Sequence, residues 1–247
     1  MIWGIENSER IRANPNANAT CPLCGEKLIN KCGIIKVWHF AHKSKEDCDD
    51  WYEPESEWHL NWKNQFSKEC QEVVMGLHRA DIKLTNGLVI EFQSSPLSPE
   101  QIKEREDFYG NMIWVLNGRT LGKGFDFRPK KDIITFRWKN PHKAWWSNTK
   151  PIYVDLGDKY QNQLDELEEY WKEFNNEYLN KEGFKGLYNS QKIYYDLKKD
   201  RLIKYIDYWD NKLLEIKKIY PKIPCGGWGK LITKEEFLNK YGILKWF

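Results

Sequence analysis

The stretch Arg79–Gln93, reading R-A-D-I-K-L-T-N-G-L-V-I-E-F-Q, constrains this chain more than any other. Two apolar runs of alternating character flank a Gly-containing turn, the pattern of a β-hairpin. The length of the turn decides which side chains share a face. A two-residue loop at Asn86-Gly87 pairs Ile82 with Glu91 and leaves Asp81 on the opposite side. A three-residue loop, Thr85-Asn86-Gly87, with Gly87 in the left-handed region, pairs Asp81 with Glu91. In that register Ala80, Ile82, Leu84, Leu88, Ile90 and Phe92 share one face, and Asp81, Lys83, Val89, Glu91 and Gln93 the other. A one-residue slip would mix the two sets, so the pattern predicts the three-residue turn.

Two carboxylates and an amide then converge on one surface, the outline of a divalent-metal site. The spacing D-x9-E-x-Q resembles the core of the PD-(D/E)xK nucleases, with Gln93 where Lys is usual. That resemblance implies Mg²⁺ or Mn²⁺ held by Asp81 and Glu91, since hard cations take carboxylate oxygen. A bound metal would acidify a water and stabilise charge on the scissile phosphate. An ordinary hairpin with a polar outer face is the alternative. Upstream, Glu53–Lys63 reads as a helix, with Pro54 suited to its first turn. Trp58, Trp62 and Phe66 form its apolar stripe, and Glu55 lies within that stripe, flanked by His59 and Lys63. A carboxylate facing a sheet is costly unless it is paired or metal-bound.

The N-terminal part carries C-x2-C-x14-H-x2-H-x5-C, namely Cys21, Cys24, His39, His42 and Cys48. Five candidates compete for a four-coordinate Zn²⁺ site of structural type. His39 and His42 make a compact pair, whereas His42 with Cys48 suits a treble-clef-like turn. Between the clusters, Lys27–Ile29 and Ile34-Ile35-Lys36-Val37-Trp38 read as two short strands, and Lys27, Lys31, Lys36, Lys43 and Lys45 surround the knuckle. Cys32, Cys70 and Cys225 read as structural thiols.

Taken in order, C-P-x-C, H-F-A-H-K-S-x-x-D-C, E-S-x-x-H-L-x-x-K, A-D-x-x-L, E-x-Q-x-S-P-L-S, R-x-x-x-Y and W-x-L resemble the CoiA competence-protein family from about Cys21 to Leu116. The family pairs a zinc-binding module with a PD-(D/E)xK-like nuclease domain. The resemblance implies Glu55, Asp81, Glu91 and Gln93 as the core site, with His59, Lys63, Arg105 and Tyr109 around it. Gln93 matches the family's E-x-Q, but it carries no charge for the phosphate. Lys63, Lys83 and Arg105 are the candidates for that charge.

Beyond the hairpin, Ser98-Pro99-Glu100-Gln101 opens a helix that ends at Gly110, with Arg105 and Tyr109 on one side. Met112–Leu116 is a continuous apolar run, read as a buried strand. Phe125–Leu156, with Ile133–Trp138, Trp145-Trp146 and Ile152–Val154, reads as a strand-rich extension. Past Asp158, Tyr160, Leu164, Leu167, Trp171, Phe174 and Tyr178 form a heptad seam, and Leu202, Ile206, Trp209, Leu213, Ile216 and Tyr220 a second. These predict an antiparallel helical hairpin, its second helix ended by Pro221 and Pro224, and its seam an alternative homodimer contact. Thr233–Glu236 starts a last helix that stops near Gly242.

The expected fold is α/β, comprising a zinc-knuckle module (1–50), a restriction-endonuclease-like core with a mixed sheet flanked by helices (51–157), and a helical arm (158–247). Charged residues make up 30% and the formal net charge is only +3, so nucleic-acid binding would rest on clustered Lys and Arg. No run of about 18 apolar residues occurs, so no membrane span is expected. The start lacks a secretory leader pattern, and a cytoplasmic location follows; there six Cys favour metal over disulfides. The expected activity is hydrolysis of phosphodiester bonds in DNA, with RNA not excluded and recombination proteins as partners. The alternative is a non-cleaving accessory protein.

Overall fold

A computed structural model describes residues 1–34, 36–43, 48–51, 53–118, 125–138, 145, 148–157, 161–221 and 225–241. Ile35, Lys45, Trp146, Tyr160, Pro224 and Gly242, singled out above, lie outside them. The chain divides into two units: Met1–Val115 with Ser147–Pro151, and Leu116–Trp146 with Ile152–Phe247.

The first unit opens with the hairpin β1 (Trp3–Glu6) and β2 (Glu9–Arg12). Its turn residues Asn7 and Ser8 both take positive φ, 50° and 67°, as a tight hairpin turn requires. Strands β3 (Ile29–Lys31) and β4 (His39–Ala41) pair antiparallel, with Phe40 fully buried among Met1, Ala19, Cys21 and Leu28. The two strands start later than their apolar residues suggest. Ile34 is fully exposed, so an apolar residue alone does not mark a strand in so small a module.

Helix α1 (Glu57–Lys63) begins at Ser56, whose side chain accepts a hydrogen bond from the His59 amide. The helix therefore starts later than Pro54 predicts, because the serine cap satisfies a free amide that proline cannot. Glu55 stays in the segment ahead of the helix, and Phe66 falls beyond its end. Trp58, Trp62 and Phe66 still pack on Phe92 of the sheet, with ring centroids 5.5–6.2 Å apart.

Three antiparallel strands follow: β5 (Gln71–Met75), β6 (His78–Lys83) and β7 (Val89–Gln93). The β6–β7 register pairs Ile82 with Ile90 and Lys83 with Val89, so the three-residue turn holds, with Gly87 at φ +82°. Strand β5 was not anticipated. Helix α2 (Pro99–Tyr109) carries the full capping box of Ser98 and Gln101 and ends at Gly110, φ +65°. It leads to β8 (Met112–Asn117), buried throughout, and the strand order is β5-β6-β7-β8.

The second unit contains β9 (Phe125–Pro129), β10 (Ile134–Trp138), β11 (Ile152–Asp155), α3 (Gln161–Tyr178), α4 (Lys185–Asp210), β12 (Lys212–Tyr220), β13 (Cys225–Thr233) and α5 (Lys234–Lys240). The strand order is β11-β12-β13-β10-β9, with antiparallel pairing throughout. Here the second heptad seam is corrected. Leu202, Ile206 and Trp209 lie on α4, but Leu213, Ile216 and Tyr220 lie on β12. Asn211 ends the helix, and β12 is captured by β13, whose glycines allow close approach. A Cβ on Gly227 or Gly229 would meet the Lys218 or Glu215 carbonyl oxygen at 2.2 or 2.3 Å. Residues 158–247 are thus not a purely helical arm. Helix α3 packs on α4 through Trp171 stacked on Tyr195, Phe174 on Tyr188 and a Lys199–Glu168 ion pair of 2.8 Å. Thr233 caps α5 as its sequence predicts.

Candidate functional site

Two polar clusters stand in the first unit. In one, Cys21, Cys24, His42 and Cys48 bring one ligand atom each to within 4.8 Å of the others. The turn that presents the first two is closed by Cys21 N–H donating to Glu26 O at 2.7 Å and Gly25 N–H to Cys21 O at 2.9 Å, with Gly25 at φ +78°. The Leu23 amide points at Cys21 Sγ, 3.4 Å away. Cys21 Sγ and Cys48 Sγ lie 3.6 Å apart, and Cys24 Sγ lies 3.3 Å from His42 Nε2. Burial and the neighbouring thiols of Cys21 and Cys24 push the Cys48 thiol well up, and burial lowers His42 toward the neutral form that binds metal. The donor set fits a tetrahedral soft-ligand metal. His39 is the fifth candidate that drops out. It sits on β4, where residues three apart face opposite sides, and its Nδ1–H donates to Val37 O at 2.7 Å.

The other cluster is built on β6 and β7. Asp81 and Glu91 lie opposite each other and lock reciprocally: Asp81 N–H donates to Glu91 Oε1 at 3.1 Å, and Phe92 N–H to Asp81 Oδ2 at 3.0 Å. Lys63, at the end of α1 and buried, places Nζ 3.1 Å from Asp81 Oδ1, 3.0 Å from Glu55 Oε2 and 3.1 Å from Glu72 Oε1. The second oxygen of Glu55, Oε1, is buried with no hydrogen-bond partner. His59 donates from Nε2 to Glu53 at 3.1 Å and lies within 3.2 Å of Phe92 O, while its Nδ1 is 2.7 Å from Ser56 Oγ. Glu53 also accepts from the amides of Ser94 and Ser95. Gln93 accepts from Arg105 Nη1 at 3.1 Å and donates to Ser95 O at 2.9 Å. Arg105 Nη2 donates to Trp51 O at 3.0 Å, and its Nε is buried without a partner. Tyr109 borders the same cleft beside Trp51; Lys83 is not among its lining residues.

The charges are strongly coupled. Burial, and next Asp81, push the Glu91 carboxyl up to about 8. Burial opposes the charge of Lys63, but Asp81, Glu55 and Glu72 outweigh it and hold its pKa above the ordinary lysine value. Burial likewise opposes the charges of Glu72 and His59. Lys63 and Arg79 nevertheless keep Glu72 below the usual carboxylate range, while Glu53, Asp81 and Glu55 raise His59. Burial and nearby carboxylates raise Tyr109. A cluster of this kind suits a cation, which would relieve the repulsion between Asp81 and Glu91. The unpartnered Glu55 oxygen offers a further ligand atom. Among the described residues, though, Glu55, Asp81 and Glu91 do not converge as closely as the four Cys and His ligands.

Glu53, Glu72 and Trp51 belong to this cleft or its support and were missed from the sequence. Glu72 had a readable signal: a carboxylate inside Gln71-Glu72-Val73-Val74-Met75, ahead of the turn at Gly76. It is the same anomaly that marked Glu55. Asp49, Asp50 and His78 also gather, but both Asp49 oxygens are engaged, by His78 Nδ1 at 3.0 Å and the Arg79 amide at 2.9 Å.

The fold and its clusters define a mixed α/β protein with a Cys3His group able to hold a structural metal such as zinc. Residues 4–50 match the family described as Competence protein CoiA, N-terminal domain. The chain is also 30% identical over 100 residues to Competence protein CoiA of Bacillus subtilis (strain 168), a match covering 35% of this chain and 27% of that protein. On these two findings the N-terminal region of the chain is similar to the CoiA competence proteins, and the chain spans about a quarter of the length of the relative it matches. No solved structure matches it. Among the described residues, no helix is long and apolar enough to cross a membrane.

Proposed function

We propose that the chain is a Mg²⁺- or Mn²⁺-dependent deoxyribonuclease of PD-(D/E)xK type, with Asp81, Glu91 and Glu55 as the ligands of the catalytic cation. The observation that carries this reading is the reciprocal Asp81–Glu91 pair, beside a Glu55 oxygen left buried without a partner. A hard divalent cation bound there would acidify water and stabilise charge on the phosphate. The chain's own groups are set before substrate arrives. The Asp81 and Phe92 amides aim the two carboxylates. Arg105 and Ser95 fix Gln93, which orients the attacking water or a phosphate oxygen without adding charge. Lys63 and Arg105 supply positive charge, Tyr109 borders the phosphate path, and Glu53 accepts from His59 Nε2 and favours its protonated form.

In the same reading the Cys3His group takes Zn²⁺ and is structural, since four protein ligands leave no open position. The family name suggests a role in competence; in this reading the chain handles DNA in the cytoplasm alongside recombination proteins, with the α3–α4 pair as a substrate contact or homodimer surface.

The test is cleavage of matched single-stranded, duplex and branched DNA, and of RNA, by the full chain with and without added Mg²⁺ or Mn²⁺. Metal-dependent DNA cleavage is expected; no cleavage of any substrate overturns the reading. One observation favours a non-cleaving accessory protein instead: the ammonium of Lys63 already pairs with Glu55 and Asp81, two of the proposed ligands. The same assay separates the two.

A further inference from the structure

We infer that Glu72 is a positioning residue of the carboxylate cleft, holding Lys63 back from the cation site and tying that site to the N-terminal module. This rests on the proposed cation site. Of the three carboxylates around Lys63 Nζ, Glu55 and Asp81 line the cleft and Glu72 does not. Glu72 is therefore the partner Lys63 keeps when the other two turn to a divalent cation. Its anchoring is unusual. Each Glu72 oxygen lies 3.0 Å from the Ile2 amide, and Oε2 accepts from the Trp3 amide at 3.1 Å. Both amides belong to the segment entering β1, so the module that carries the Cys3His group fixes the carboxylate that fixes Lys63.

The backbone agrees. Glu72 has φ +45°, a left-handed conformation that costs a residue with a Cβ, and it is absent from the β5–β6 ladder between Gln71↔Ile82 and Val73↔Ala80. Such strain persists where the surroundings impose it. In register, Glu72 would face Asp81, so β5, β6 and β7 carry a row of Glu72, Asp81 and Glu91.

Loss of the Glu72 charge leaves the Lys63 ammonium to compete with the divalent cation for Asp81 and Glu55. The test is Mn²⁺ titration calorimetry on the full zinc-loaded chain, with cleavage alongside. Glu72→Gln should weaken Mn²⁺ binding about 10- to 100-fold with zinc content unchanged. Glu72→Gln combined with Lys63→Met should return it to near the parent value, because no competing ammonium remains; a merely structural role predicts no such recovery. Unaltered affinity in Glu72→Gln, or the same loss in the double variant, overturns this inference alone. Absence of Mn²⁺ binding in the parent overturns it together with the proposed cation site. Should Glu72→Gln fail to fold, recovery of folding in the double variant supports the inference, and failure of both overturns it.

Discussion

Three thiols and an imidazole meet around Cys21, whereas the carboxylates around Asp81 meet around the ammonium of Lys63. The Cys3His group could hold an external metal ion, and in modules of that kind metal binding and folding are one process. The carboxylate cleft contains its own cation and is prepared to fold without a metal. Removing metal should therefore damage the two regions very differently, in folding at one and in chemistry at the other.

The largest effect is expected at the thiols. Cys21→Ser or Cys24→Ser should abolish binding of about one zinc per chain and unfold residues around Phe40, because metal binding supplies folding free energy there. His39→Ala and Cys225→Ser should leave the zinc content at the parent value. Metal analysis with circular dichroism checks both, and zinc loss in His39→Ala would break the Cys3His assignment.

Next come the cleft carboxylates. Asp81→Asn or Glu91→Gln should lower DNA cleavage by about three orders of magnitude, on the scale of losing electrostatic stabilisation of a transition state. Zinc content and Tm should stand unchanged or, for Tm, higher. DNA affinity should persist, because Lys and Arg contacts supply it. Single-turnover cleavage measured beside melting is the check; parental rates in both variants would remove the nuclease site from this cleft.

Lys63→Met should sharpen the contrast by deleting the internal cation. Three carboxylates then lose their shared partner, and stability should fall by about 3–5 kcal/mol. Urea unfolding measures this. A loss under about 1 kcal/mol would mean Lys63 behaves as a surface charge.

The smallest effect is a pH dependence. Glu91 is pushed up to about 8 in the folded chain, against about 4.3 for an unperturbed glutamate. Between those values the folded state holds the extra proton, so this group's contribution to stability falls as pH rises. In Mg²⁺-free buffer, Glu91→Gln should raise Tm by about 2–4 °C at pH 8 and by less at pH 5. An equal shift at both pH values would show that Glu91 does not hold the proton.

Much of the cleft was legible because its determinants are local. Gly87 and the alternation from Ala80 to Phe92 specify one hairpin register, and that register alone sets Asp81 opposite Glu91. The knuckle spacing narrowed the metal ligands to five, and strand geometry at His39 removed one. Ser98 and Thr233 announced their helices because a cap satisfies its own first turn. Glu55 and Lys63 were named from a helical stripe, yet Glu55 reaches Lys63 from the segment ahead of α1.

The sequence by itself determined what short-range geometry can determine: the hairpin, the starts of α2 and α5 and the residue types of both clusters. Tertiary structure decided the rest. Residues 212–220 satisfy a heptad count on paper, but the glycines of β13 offer them a backbone close enough for a ladder, and pairing overrode periodicity. Glu72 joins Lys63 only because two amides near the start of the chain, about seventy residues away, receive its carboxylate. An ion pair of this kind depends on which surfaces fold together, and no local pattern records that.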